Sequence, residues 1–219
     1  MASRHRSGHL VRQRGIGVKD LVVLVADKNM EQALEGLLKR SQALRIRPLT
    51  YDLFVHPRRD PGCLNEAHDF LRPFSRAYKC AMVMYDHVGS GQEQKQPHVL
   101  ADAVKKRLQQ NGWGCCEAVV LSPELEVWVW SSSPHVDVCL GWADHEPPLR
   151  EWLATSGLWP MSDPKPRSPR EALEQALREV RKPRSSAIYF SLAERVSLYG
   201  HSEPAFLRFI QALQCWFPE

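Results

Sequence analysis

Four short apolar runs, each followed by a polar break, constrain this chain more than any other feature. Residues 21–26, Leu21-Val22-Val23-Leu24-Val25-Ala26, form the cleanest run, and residues 50–55, 80–85 and 117–121 repeat the theme. Runs of this length without strict polar alternation suit strands buried on both faces of a parallel sheet. The segment after the first run carries Met30, Ala33, Leu34, Leu37 and Leu38, the spacing of one buried helical face. Asn29 reads as the N-cap of that helix and Gln32 as its capping-box partner. Leu37 falls in the apolar stripe, whereas Arg40 falls on the solvent side. Residues 64–78 and 99–110 read as further helices, the latter closed by Asn111-Gly112. Residues 56–62 hold two prolines and a glycine and read as a loop. Strands alternating with helices predict an α/β fold of right-handed βαβ units, a Rossmann-like parallel sheet flanked by helices.

The chain divides by composition. Residues 1–18 read as a basic flexible tail, with Arg4, Arg6, Arg12 and Arg14 and no acidic residue. Residues 19–159 form the α/β domain. Residues 160–219 begin with a stiff linker containing Pro160, Pro164, Pro166 and Pro169 and continue as a C-terminal helical extension. Its helices are expected at about 169–181, 186–198 and 203–216, the first opened by the capping-box sequence Ser168-Pro169-Arg170-Glu171. No apolar run approaches the ~18 residues that would cross a bilayer, so no membrane role is expected. The 29 Lys and Arg against 25 Asp and Glu give +4, too mild a balance to establish a nucleic-acid partner. Six cysteines without a C-x-x-C pair predict reduced, structural thiols in a cytoplasmic protein. The seven tryptophans are expected to bury against the sheet rather than stack on bases.

Open parallel sheets bind ligands at the carboxyl ends of their strands. There this chain places Asp27, Lys28 and Glu31 after the first strand, and His56 and Asp60 after the second. Asp86 and His87 follow the third, and Glu124 and Glu126 follow the fourth. Clustered carboxylates repel unless a cation compensates them, and a hard ion with oxygen ligands does so. Mg²⁺, with Mn²⁺ as substitute, is the expected cofactor, held by Glu31, Asp86, Glu124 and Glu126. Glu31, Asp86 and Glu126 are the candidate catalytic residues for phosphodiester chemistry. Lys28, His56, Arg58 and Arg59 are the candidate substrate contacts, placed to meet phosphate. The loop at residues 86–91, Asp86-His87-Val88-Gly89-Ser90-Gly91, is glycine-rich but matches neither the phosphate-binding loop nor the dinucleotide fingerprint.

The order strand, Glu at a helix start, strand, helix, strand ending in Asp, then a later acidic pair resembles the Toprim fold of topoisomerases, primases and related nucleases. In those families a glutamate after the first strand and an Asp-x-Asp after the third hold Mg²⁺. Glu31 matches the glutamate and Asp86 the first aspartate, while Val88 stands where the second would be. The segments at residues 25–31, 56–62, 86–91 and 123–130, with Pro164-Lys165-Pro166 and Cys215-Trp216-Phe217-Pro218, are similar to small bacterial Toprim-like proteins. Those are encoded in anti-phage defence clusters, including the methylation-associated type. The resemblance implies a defence-system component, with nucleic acid or other defence-system proteins as partners. Two readings follow. The retained Glu31, Asp86 and Glu126 favour a Mg²⁺-dependent nuclease. Val88 favours a non-catalytic protein- or DNA-binding subunit.

Overall fold

The computed structural model describes residues 17–198 and 202–219. The arginines at positions 4, 6, 12 and 14, and the tail they define, lie outside the described residues. Four strands, β1 (Lys19–Val25), β2 (Tyr51–Val55), β3 (Tyr78–Asp86) and β4 (Cys116–Leu121), make one sheet in the order β2-β1-β3-β4, parallel throughout. Val22 in β1 pairs with Asp52 on one side and Ala81 on the other. Leu21 through Val25 are 0% exposed, as a strand between two neighbours and two helical layers requires.

Helix α1 (Lys28–Leu38) follows β1 and buries Met30, Ala33, Leu34, Leu37 and Leu38, the expected stripe. Its cap is Asp27 rather than Asn29, because the Asp27 carboxylate accepts the Met30 N–H at 2.9 Å. After a short turn, α2 (Ser41–Leu44), and β2, helix α3 (Arg59–Leu71) begins inside the segment expected to be a loop. Pro61 fits there because the first N–H groups of a helix need no intrahelical acceptor. A 3₁₀ turn at Arg72–Phe74 then ends the helical run earlier than its apolar spacing suggested. Helix α4 (Pro97–Gln110) closes at Asn111, and Gly112 takes a φ of 92°. Two short helices, α5 (His135–Leu140) and α6 (Leu149–Thr155), were not foreseen.

The C-terminal helices α7 (Pro169–Glu179), α8 (Ser186–Arg195) and α9 (Pro204–Trp216) fall where the sequence pattern put them. They share the core of the sheet: Leu173, Leu177, Ile188, Leu192, Phe209 and Leu213 join one apolar cluster with Leu24 and Leu34. The boundary near residue 159 therefore marks a change of composition inside a common core. Helix α8 approaches α1 at Gly36, where an added Cβ would stand 2.8 Å from both the Ala193 Cβ and the Phe190 carbonyl oxygen. Five of the seven tryptophans, Trp113, Trp128, Trp130, Trp142 and Trp159, are buried. Among the described residues, no helix is long and apolar enough to cross a membrane.

Two further expectations change. Cys80 and Cys115 form a disulfide rather than reduced thiols. The β3–β4 register sets Ala81 against Cys116, and one residue back it sets the two cysteines side by side. Arg40 is not a free surface residue. Its Nη1 donates to the carbonyls of Ala193 at 2.6 Å and Val196 at 2.9 Å, tying the end of α1 to the end of α8.

Leu37→Ala is therefore expected to cost about 2–5 kcal/mol, and Arg40→Ala about 1–3 kcal/mol through two carbonyls left without a charged donor. Gly36→Ala should also destabilise, although alanine is about 1 kcal/mol the better helix former, because the Phe190 backbone blocks the new methyl. Urea melts of the three variants check this order, and a stabilised Gly36→Ala would contradict the α1–α8 packing.

Candidate metal centre

The site forms where β3 and β4 end. Asp86 is the last residue of β3. Three residues past β4, Glu124 takes an extended conformation and precedes a 3₁₀ turn, Leu125–Trp128, that carries Glu126. The Leu125 N–H donates to Asp86 Oδ1 at 2.8 Å and draws that turn onto the tip of β3. The result is a group of three carboxylates, Asp86, Glu124 and Glu126, with one oxygen of each lying within 4.8 Å of the others. All three are buried, at 5%, 7% and 1% exposure. The group could hold a metal ion.

Two arginines from the C-terminal segment reach this cluster. Arg170, in the first turn of α7, places Nη2 3.2 Å from Asp86 Oδ2 and 3.0 Å from Glu124 Oε2. Its Nε lies 3.6 Å from Glu126 Oε1, and its backbone N–H donates to Glu124 Oε1 at 3.0 Å. Arg184, just before α8, pairs with Glu126 and, at 2.6 Å, with Glu174. The Tyr189 hydroxyl donates to Glu126 Oε1 at 2.6 Å. Among the described residues Glu126 Oε2 is buried without a hydrogen-bond partner.

The electrostatics follow from burial. Burial, then the nearby Asp60 and Glu126 charges, push the Asp86 carboxyl well above the usual range, and Arg170 only partly offsets them. Burial followed by Glu126 raises Glu124 in the same way. Asp60 is raised chiefly by burial, while the Asp86 N–H that it accepts at 2.8 Å works in the other direction. For Arg170, burial opposes the charge, but Glu126, Glu124 and Asp86 outweigh it and raise the guanidinium.

Of the expected metal ligands, Asp86, Glu124 and Glu126 come together and Glu31 lies outside the group. Glu31 sits in the first turn of α1 and pairs with Lys28, three residues earlier on the same helix face. Asp27 is spent on its cap. Arg58 is exposed and pairs with Glu66. Arg59 is exposed with a φ of 48° and has no ion pair among the described residues. His56 is enclosed at 3% exposure. Its Nδ1 accepts the Arg58 N–H at 3.1 Å, its Nε2 faces Glu66 at 3.8 Å, and its ring fills the space a Cβ on Gly62 would need. Both its nitrogens thus face protein groups. The sequence reading missed Arg170, Arg184 and Tyr189 as members of the site. Arg170 stood out only as part of a helix start, and nothing local marks a residue whose partners lie 84 and 46 positions away.

No protein-family model matches this chain, and neither does any curated protein or solved structure.

The raised Asp86 carboxyl has a definite pH consequence. A folded-state value above the unfolded one means its contribution is fully present below the ordinary carboxylate range, about 3.9. It is lost as pH rises through the folded value. Asp86→Asn, which keeps an oxygen for the Leu125 N–H, should lower stability overall yet flatten the decline above pH ~4. Urea melts across pH 4–8 read this directly; parallel curves for wild type and variant would contradict it.

Proposed function

We propose that this protein is a divalent-cation-dependent, Toprim-like domain acting on nucleic-acid phosphodiesters, within a bacterial anti-phage defence system. One observation carries the reading: three buried carboxylates converge at the carboxyl ends of adjacent parallel strands, and one of their oxygens, Glu126 Oε2, lacks a donor. An all-oxygen set with an open acceptor suits Mg²⁺ or Mn²⁺. Asp86, Glu124 and Glu126 would hold the ion, which when bound would polarise a phosphate oxygen and favour hydroxide over water. Tyr189 and Arg184 fix the orientation of the Glu126 carboxylate. Burial and the Asp60 and Glu126 charges raise the Asp86 carboxyl, and a bound cation would relieve the repulsion it meets there. The Arg170 side chain is 40% exposed and can meet a phosphate at the rim while keeping its inner partners.

The second reading, a non-catalytic protein- or DNA-binding subunit of a defence complex, also rests on a specific observation. Arg170 already touches all three carboxylates and balances much of their charge. Under that reading the cluster is a structural clamp for α7.

Mn²⁺ titration of the full chain separates the two. On the enzymatic reading Mn²⁺ raises the melting temperature, by about 2.7 kcal/mol of stability at a hundredfold excess over Kd. Glu126→Gln abolishes that gain together with Mg²⁺-dependent cleavage of DNA or RNA. Arg170→Ala lowers stability without metal but binds Mn²⁺ more tightly, because it removes the competing cation. If neither wild type nor Arg170→Ala binds Mn²⁺ at millimolar concentration, the clamp reading stands.

A further inference from the structure

The loop between β3 and α4 presents backbone N–H groups to an anion, and the protein fills that position with its own side chain. Gly89 and Gly91 have φ of 91° and 78°. With that backbone their N–H groups turn toward one point, the Oε1 of Glu93, at 2.9 and 3.1 Å. Backbone amides gathered in this way form a concave anion site. The hydrogen bonds from residues 93, 91 and 89 hold the Glu93 carboxyl below its ordinary value, so the seat favours negative charge.

The seat is built into the fold rather than hung on a mobile strap. The His87 N–H donates to the Leu121 carbonyl at 2.8 Å and the Val88 N–H to the Pro123 carbonyl at 3.0 Å, pinning the loop to the exit of β4. Ser90 is 2% exposed and its Oγ accepts the Gln92 N–H at 3.2 Å. Glu93, by contrast, is exposed and can leave. The seat also borders the carboxylate rim: a Cβ on Gly89 would lie 3.6 Å from Asp60 Oδ2, and Asp60 holds the Asp86 N–H.

We infer that the Gly89–Gly91 loop is a phosphate seat beside the carboxylate cluster, occupied by the Glu93 carboxylate as an internal stand-in that a phosphate group displaces. A cation at the carboxylates and an anion seat at the neighbouring loop would grip one phosphodiester from two sides. That role rests on the phosphodiester reading above, whereas the binding of phosphate to the seat does not. Val88, the departure from the Asp-x-Asp pattern, then belongs to a loop that contributes amides instead of a second carboxylate.

The test follows the backbone amide resonances of the full chain during titration with inorganic phosphate, and separately with a dinucleotide holding one internal phosphodiester. Sodium chloride at matched ionic strength is the control. In wild type the tethered carboxylate competes, so apparent affinity falls in proportion to the fraction of seats left empty; roughly one seat in ten left empty corresponds to about tenfold. Glu93→Ala should therefore bind phosphate about tenfold more tightly, with the largest shifts at Gly89 and Gly91. Glu93→Gln should fall between the two. Adding Gly91→Ala to Glu93→Ala should remove the effect, because the new methyl meets nothing within 4 Å but the φ of 78° is strained for alanine. A response to the dinucleotide comparable to that for free phosphate supports a backbone-phosphate site, and a response to inorganic phosphate alone restricts it to the free anion. Equal affinities in wild type and Glu93→Ala, shifts reproduced by chloride, or no response at Gly89 and Gly91 would overturn the seat. Phosphate binding that persists where Mn²⁺ binding fails would remove the phosphodiester role and leave the seat standing.

Discussion

Three carboxylates buried together at the ends of β3 and β4 set the terms for the rest of this molecule. Removing such charges from water costs several kcal/mol each unless cations and hydrogen bonds replace the lost hydration. Here the compensation arrives from far along the chain, as Arg170 in α7 and Arg184 before α8. The C-terminal helices are thus held on the sheet by charge as well as by apolar contact. Packing of α8 on α1 at Gly36 and of Phe206 and Phe209 on Trp128 supplies the apolar share. Neither half of the chain completes the cluster alone.

The two ends of the sheet show how environment separates a structural carboxylate from a reactive one. At the amino end, Asp20 is also buried, but its oxygens receive Arg47, Lys79 and both the N–H and hydroxyl of Thr50. Those donors, the Arg47 hydrogen bond first, hold its carboxyl far below the usual range. At the carboxyl end, burial raises the Asp86 carboxyl first, the Asp60 and Glu126 charges raise it further, and one backbone donor with a shared guanidinium offsets only part of this. A carboxyl saturated with donors is locked in its charged form. One short of donors is ready to take a proton or a cation, and such groups concentrate where sites form.

The loop after β3 extends that contrast along the rim. It places amide donors next to a region rich in acceptors, and its two glycines are needed because the inward turn of their N–H groups requires positive φ. Cation-seeking and anion-seeking groups thereby lie side by side at the same end of the sheet, the end where parallel α/β folds bind ligands.

Much of the architecture was legible in local pattern. Uninterrupted apolar runs at β1 and β3 announced strands covered on both faces, and the stripe from Met30 to Leu38 announced the buried side of α1. The three C-terminal helices were also placed from the sequence, the first by its Ser168-Pro169-Arg170-Glu171 start. Strand-end placement put Asp86, Glu124 and Glu126 among the expected ligands, together with Glu31, because a parallel sheet brings its strand ends to one rim. Local pattern misjudged the cap of α1, the start of α3 and the state of Cys80 and Cys115. It had no access to α8 against Gly36, to the burial of His56, or to the choice between Glu31 and Arg170 as the neighbour of the carboxylates. The physical reason is range: strands and helices are selected by contacts a few residues apart. Charge compensation in a buried cluster is selected by whichever side chain the finished fold brings within reach.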